Sequence, residues 1–352
     1  MTTDKIDLKN FNREQLQQWI SSLGHSPYRA RQIFAWLYRP GITDFQQMTD
    51  LPKQFRDELQ ETAYISFLPI AAQEVSTDGT IKYGLQLHDG LLIESVLIPE
   101  EERNTLCISS QVGCAMGCAF CLTGTMGFSR NLTPAEIVGQ ISAIQRDLSQ
   151  RQAGRITNIV FMGMGEPLAN FDNLLTALAI IMDELGLHFA NRSITVSTCG
   201  LAPKIVELGK RFRVNLAISL HGADDETRNK IMPVNLTYPI AEVLEACRQF
   251  PLPSGKVLMF EYILLAGIND SVDDAQKLAA LLKGVPCKIN LLPCNEAPEI
   301  PFSRPSRNRV YAFQDVLRKA GYTVLIRTSR GADISAACGQ LANKSRQEQK
   351  GA

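Results

Sequence analysis

The spacing of apolar positions along the chain changes twice. Over residues 13–23, 28–38 and 51–62 apolar side chains recur every three or four positions, which predicts three short helices. The middle one opens on Ser26-Pro27 and sets Ile33, Phe34, Trp36 and Leu37 against Arg29 and Arg31, an amphipathic helix with a basic face. The period then shortens to two. "IKYGLQLHDGLLIESVLIP" alternates as a half-buried strand does, and Asp78-Gly79 and Asp89-Gly90 punctuate it as hairpin turns. From about residue 105 strand-like runs follow one another with helical segments between them: "RITNIVFMG", "RSITVSTCG", "RVNLAISLHG", "LMFEYILLAG", "CKINLLPC" and "TVLIRTS". That alternation predicts a parallel sheet with crossover helices, closed as a barrel or left open. Thr133, Pro134 and Glu136 mark the first crossover helix with an N-cap, a proline at the first turn and a capping-box glutamate. In such folds ligands sit at the carboxyl ends of the strands.

Composition narrows the class. With 352 residues, 45% of them hydrophobic, the chain can bury one large core or one core and a small appendage. Apolar runs such as "LLTALAII" are too short to cross a bilayer, and the charged opening "MTTDKIDLKNFNREQLQ" is no secretory signal, so a cytoplasmic, non-membrane protein is expected. The tail "KSRQEQKGA" after Asn343 is expected to lack structure. Thirty-six basic residues balance thirty-six acidic ones, which excludes a wholesale electrostatic grip on nucleic acid. Any RNA site must be a local basic patch: Arg29 and Arg31, Lys210, Arg211 and Arg213, or "RPSRNR" at 304–309.

Nine cysteines, an odd number, make poor material for a disulfide framework. Four of them fall within "CISSQVGCAMGCAFC", and Cys114, Cys118 and Cys121 form CxxxCxxC with Gly113 and Gly117 beside them. Closed metal sites take four protein donors. Three at this spacing point to a [4Fe-4S] cluster with one iron open, which S-adenosylmethionine (SAM) can chelate. The competing reading is a zinc ion or closed cluster that uses Cys107 as fourth ligand.

The motif resembles the radical SAM superfamily. Together with "NIVFMGMGEPLANFDN", "STCGLAP", "ISLHG" and "GADISAACGQL", "TLCISSQVGCAMGCAFCLTGTMGFSRNLT" is similar to the RlmN/Cfr family of RNA adenine methyltransferases, over roughly residues 10–342. The resemblance implies an α/β fold: a small helical accessory domain that contacts RNA (1–65), an antiparallel strand extension (66–104), a partial (β/α)6 radical SAM barrel (105–330), and a carboxyl-terminal segment with the catalytic cysteine (331–352).

By that resemblance Cys338 carries a methyl group taken from one SAM, and a radical from a second SAM removes a hydrogen from it so that the carbon adds to the adenine ring. Cys107 is then the resolving thiol that frees the RNA, and Glu94 the base that accepts the ring proton. Reactive cysteines act as thiolates, so an electropositive, partly exposed setting and a mobile loop around Cys338 are expected. Glu94 stands on an otherwise apolar strand, where a carboxylate costs energy unless it is paired or functional. Gly165, Glu166, Ser197, Ser219, Leu220, His221 and Asn295 match SAM contacts of the family. Cys294 stands just before Asn295, where an aromatic or aliphatic residue is expected. Cys199, Cys247, Cys287 and Cys294 match no family thiol and read as core positions.

The implied substrates are 23S ribosomal RNA, at an adenosine of the peptidyl-transferase centre, and the adenosine after the anticodon of certain tRNAs, methylated at C2. C2 lies on the base-pairing edge, so the base must be unpaired or splayed out. A monomer served by an external electron donor such as flavodoxin is expected. A Cfr-type enzyme acting at C8 shares the cysteines, and spacing does not separate the two; an iron-sulfur redox protein needs no remote cysteine.

Overall fold

The computed structural model describes residues 5–341, so the tail after Asn343 lies outside the described residues. Three helices, α1 (Arg13–Ser22), α2 (Tyr28–Leu37) and α3 (Lys53–Thr62), make up the amino-terminal unit. Asn12 and Gln15 cap α1 reciprocally, each side chain bonding the other's backbone amide at 2.9 Å. The third helix starts two residues later than its apolar pattern, because Pro52 holds Leu51 out of the helical region. Leu16, Ile20, Ile33, Phe34, Leu37, Phe55 and Leu59 are buried between the three.

Ten strands build the main sheet and lie side by side in chain order. They are β1 (Ile70–Val75), β2 (Ile81–Gln86), β3 (Leu92–Glu100), β4 (Arg103–Cys107), β5 (Asn158–Phe161), β6 (Ile194–Thr198), β7 (Asn215–Ser219), β8 (Leu258–Leu264), β9 (Cys287–Pro293) and β10 (Thr323–Ile326). β1 to β4 pair antiparallel, with the Asp-Gly pairs at the hairpin turns; from β4 onward every pairing is parallel. Crossover helices return the chain: α4 (Pro134–Gln150), α5 (Phe171–Met182), α6 (Ala202–Arg211), α7 (Asp225–Ile231), α8 (Ile240–Arg248), α9 (Val272–Leu281) and α10 (Arg307–Lys319). The expected six βα units are present, and β10 adds a further parallel strand. The expected capping box opens α4, with Thr133 and Glu136 bonded to each other's amides.

Strand alternation sorts the side chains. Ile159, Phe161, Val196, Leu216, Ile218, Phe260, Tyr262, Ile289 and Leu291 are fully buried beneath the helices, whereas Val160, Ser197, Ser219 and Met259, one position out of phase, keep some accessible surface. The concave face is therefore open and partly polar. Register carries Glu94 and Cys107 onto it. On β2 and β3 the Tyr83 hydroxyl and the Ser95 hydroxyl bond Asp147 and Gln140 of α4, so Lys82 and Glu94, their neighbours in sequence, point the other way. Val96 pairs with Cys107, which puts the Cys107 thiol on the same side as Glu94.

The sheet does not close. β1 and β10 are its two edges, and residues 331–341 span the gap between them. Asp333 accepts from the Ser76 hydroxyl at 2.5 Å and the Thr77 amide at 3.1 Å, Asp78 accepts from the Gly331 amide at 3.1 Å, and the Lys82 ammonium donates to the Ile334 carbonyl at 2.7 Å. Among the described residues no helix is long and apolar enough to cross a membrane.

Candidate active site at the strand ends

β4 runs directly into the loop that carries CxxxCxxC. Gln140 of α4 anchors the loop's root, accepting from the Ser109 amide at 2.8 Å and donating to its carbonyl at 2.9 Å. The loop then pairs with itself, Gln111–Gly113 running antiparallel to Phe128–Asn131. Gly113 has φ +76°, and a Cβ there would stand 1.9 Å from the Gly127 carbonyl oxygen. Only glycine fits.

Cys114, Cys118 and Cys121 are all partly exposed and lie within electrostatic reach of one another. Burial pushes the Cys114 thiol up to about 11 and Cys118 higher still, and a Cys121 thiolate would raise both further. Such a grouping wants a cationic centre to neutralise it. Among the described residues no three His, Cys, Asp or Glu side chains stand close enough to share one metal ion. A four-iron cluster is held by thiolates, the donor type that these three side chains supply. Cys107 gives no support to the four-ligand reading: the charged groups that act on it are Cys338 and Arg327.

Cys338 sits between these regions. It is exposed, on the side that faces Cys107, Cys121 and Glu261. Burial pushes its thiol up to about 12, Glu261 and Cys121 raise it further, and Arg327 opposes them. Burial likewise pushes Cys107 up to about 12, with Cys338 adding to the rise and Arg327 again opposing it. One arginine, Arg327, acts on both thiols, and desolvation opposes it. The segment that carries Cys338 is hydrogen-bonded to its surroundings. Besides its bonds to the β1–β2 hairpin, Gly339 accepts from the Leu122 amide at 2.8 Å, Leu341 from the Thr123 hydroxyl at 2.7 Å and Cys338 from the Asn295 amide group at 3.2 Å.

Glu94 is buried, with the Lys82 ammonium 3.6 Å from its Oε1. Of the residues matched to SAM, several already hold the scaffold. Gly165 has φ +93°, and a Cβ there would meet Gln111 at 2.4 Å. Glu166 is buried and accepts from the Leu168 amide at 2.9 Å and the Cys199 amide at 2.8 Å, which binds the β5 loop to the end of β6. His221 accepts at Nδ1 from the Ile263 amide at 3.0 Å and meets the Phe120 ring edge-on, with centroids 4.7 Å apart. Burial pushes His221 down to about 3, so it is neutral and presents an N–H at Nε2. Ser197 and Ser219 close β6 and β7 on the concave face, and the buried Leu220 bonds the Glu261 carbonyl through its amide at 3.0 Å. Asn295 also accepts from the Ser329 hydroxyl at 2.5 Å, tying β9's end to the segment after β10. Cys294 packs with Cys199, Ile231, Met232 and Leu265, so the thiol fills the expected apolar position.

Four residues escaped the sequence reading. Arg228 is fully buried and donates to the carbonyls of Cys199, Ser219 and Leu220, fixing the ends of β6 and β7 beneath the cluster loop. Glu261, bonded by the Asn290 amide group at 2.7 Å, carried the same signal as Glu94, a lone carboxylate in an apolar strand. Arg327 and Lys82 gave no signal beyond strand parity.

The basic patches fall on different sides. Lys210 and Arg211 end α6, which runs back from the strand ends, so they lie at the opposite pole from the thiols; the 304–309 segment follows β9 and stays near them. A groove of about 840 Å³ between the helical unit and the barrel's lower rim, flanked by Arg39, Arg146 and Arg155, is likewise remote from the thiols.

A barrel open at its strand ends, with three thiols spaced for a cluster, defines a radical SAM enzyme, and comparison with known proteins extends this to a methyltransferase. Residues 108–281 match the Radical SAM superfamily model, and residues 6–65 match the Ribosomal RNA large subunit methyltransferase N-terminal domain. The chain is 54% identical to the dual-specificity RNA methyltransferase RlmN of Desulfotalea psychrophila over 96% of this chain and 95% of that one. It is also 54% identical to the RlmN of Geobacter sulfurreducens, over 96% and 92% of the two chains. The crystal structure of a radical SAM methyltransferase from Sphaerobacter thermophilus superposes with a TM-score of 0.88 at 43% identity, covering 96% of this chain and 99% of that one. The chain belongs to the RlmN family of radical SAM RNA methyltransferases, whose cofactors are a [4Fe-4S] cluster and SAM.

Proposed function

We propose that the chain methylates C2 of an adenosine, in the peptidyl-transferase centre of 23S ribosomal RNA and beside the anticodon of certain tRNAs, with Cys338 as methyl carrier. One observation supports this above the rest: Cys338 stands within electrostatic reach of both the cluster ligand Cys121 and the second thiol Cys107. A merely structural cysteine has no reason to lie there.

C2 of adenine is electron-poor and has no lone pair with which to attack a methyl sulfonium, so the carbon must arrive as a radical. A cluster held by Cys114, Cys118 and Cys121 would, together with SAM, supply the one-electron chemistry that makes a hydrogen-abstracting species. The rest falls to the chain. The Cys338 sulfur first takes a methyl group by displacement; after that methyl loses a hydrogen atom, its carbon bonds C2. Glu94 accepts the ring hydrogen as a proton; the odd electron left on the adduct would be taken up by the cluster that Cys114, Cys118 and Cys121 would hold. The Cys107 thiolate then attacks the Cys338 sulfur, an S–S bond forms as the S–C bond breaks, and the freed carbon takes a proton to become the methyl group. Two electrons from an external donor such as flavodoxin return the disulfide to thiols. SAM lies against Gly165, Glu166, Ser197, Ser219, Leu220, His221 and Asn295.

The test is anaerobic reconstitution with SAM, reductant and unmodified ribosomal RNA fragments, followed by nucleoside analysis. The expected product is 2-methyladenosine, lost in Cys338→Ala. Appearance of 8-methyladenosine would reassign the regiochemistry, and no change in any nucleoside despite an intact cluster would overturn the RNA assignment.

A further inference from the structure

Lys82 is a charged side chain that the reaction as written does not use, and it is almost fully buried at 3% exposure. Burying an ammonium is costly unless it is paired and hydrogen-bonded. Here it has three partners from three parts of the chain. Its Nζ lies 2.9 Å from Glu74 Oε1 on β1 and 3.6 Å from Glu94 Oε1 on β3, and it donates to the Ile334 carbonyl of the Cys338 segment at 2.7 Å. The register explains the meeting. Lys82 pairs with Glu74 on one side and Val96 on the other, and Glu94 is the next residue of β3 on that face.

Of the three partners, the Ile334 carbonyl belongs to the segment that bridges the two edges of the sheet. Through that bond the ammonium beside Glu94 is tied to the segment that carries Cys338. We propose that Lys82 is a positioning residue for Glu94, set in place by the docked Cys338 segment, so that the base is aimed only when the methyl-bearing cysteine is seated. The inference rests on the assignment of Glu94 as the proton acceptor. The proton still passes from the ring carbon to the Glu94 carboxylate, and Lys82 neither gains nor loses one.

The test compares Lys82→Met, Lys82→Arg, Glu94→Gln and the Lys82→Met/Glu94→Gln double variant in the reconstituted enzyme. Three quantities are read: the methyl mass increment on the Cys338 peptide, the RNA-protein adduct on a denaturing gel, and 2-methyladenosine formed. Lys82→Met is expected to retain Cys338 methylation within twofold, to lower product at least tenfold and to accumulate adduct as Glu94→Gln does. Lys82→Arg should restore most of the product, and the double variant should be no worse than Glu94→Gln alone. Wild-type product from Lys82→Met, while Glu94→Gln is defective, would overturn the proposal. So would a double variant tenfold below Glu94→Gln, or loss of Cys338 methylation in both Lys82 variants, because either marks a purely structural lysine. Wild-type product from Glu94→Gln would remove the base assignment and the proposal with it, a failure distinct from the others.

Discussion

Residues 111–131 and residues 331–341 both present thiols to the same concavity, but they are held differently. The first loop pairs with itself, turning at Gly113 with a positive φ that no side chain permits, and roots itself on the adjoining α4. The second has two short turns of its own, at Ala332–Ile334 and at 337–340, and takes its other bonds from the β1–β2 hairpin, the cluster loop and the end of β9. A cluster must be gripped in one geometry, which local structure can supply. In the proposed reaction a methyl-bearing sulfur would have to meet a metal centre, a second thiol and a base at once, which distant elements bring about by converging.

The comparison breaks most sharply at the cysteines. Cys118→Ser is expected to abolish product by removing the cluster, with iron content falling to background. Cys338→Ala is expected to abolish product equally, yet to keep its iron and its reductive cleavage of SAM. Equal iron loss in both variants would mean that the two loops form one unit.

Next in size is the reactivity of the Cys338 thiol in cluster-free protein. A thiol raised by burial to about 12 stays neutral at neutral pH, and alkylation proceeds through the thiolate alone. An ordinary thiol near 8.5 levels off by about pH 9.5. Cys338 is expected to react about a hundredfold more slowly at pH 8, allowing for the greater nucleophilicity of a more basic thiolate, and to speed up tenfold per pH unit through pH 10 without a plateau. A plateau near pH 9 would show that Arg327 governs the thiol after all.

Gly113→Ala probes the local loop. Strain at φ +76° and the 1.9 Å approach to the Gly127 carbonyl are expected to cost about 2 to 3 kcal/mol, with cluster occupancy falling at least tenfold while the amino-terminal helices melt unchanged. Iron content and circular dichroism would check both halves.

The same contrast governs what the sequence discloses. CxxxCxxC could be read unaided, as could the helix starts at Asn12 and Thr133 and the Asp-Gly turns, because each is settled by residues within a few positions. Cys338 acquired meaning only through the family, since the partners of its segment, Ser76, Lys82, Thr123 and Asn295, are up to 257 residues away from the residues they bond. Arg228 was invisible for the same reason: what it holds are backbone carbonyls, which leave no trace in residue identity. Glu261 was legible and passed over, its strand reading as plain core.

The smallest change sits where the two loops touch. The Thr123 hydroxyl, buried behind the cluster loop, donates to the Leu341 carbonyl at 2.7 Å and joins the loops directly. Thr123→Val keeps the shape and removes the donor, leaving a buried carbonyl with one fewer partner, at a cost of about 1 kcal/mol. If the loops are separately built, that loss falls on the docking of residues 331–341 alone: product should drop about fivefold, while iron content and SAM binding stay at wild-type levels. If iron content falls in step with product, the bond supports the cluster loop instead, and the Cys338 segment is part of the grip on the cluster as well as the carrier of the methyl group.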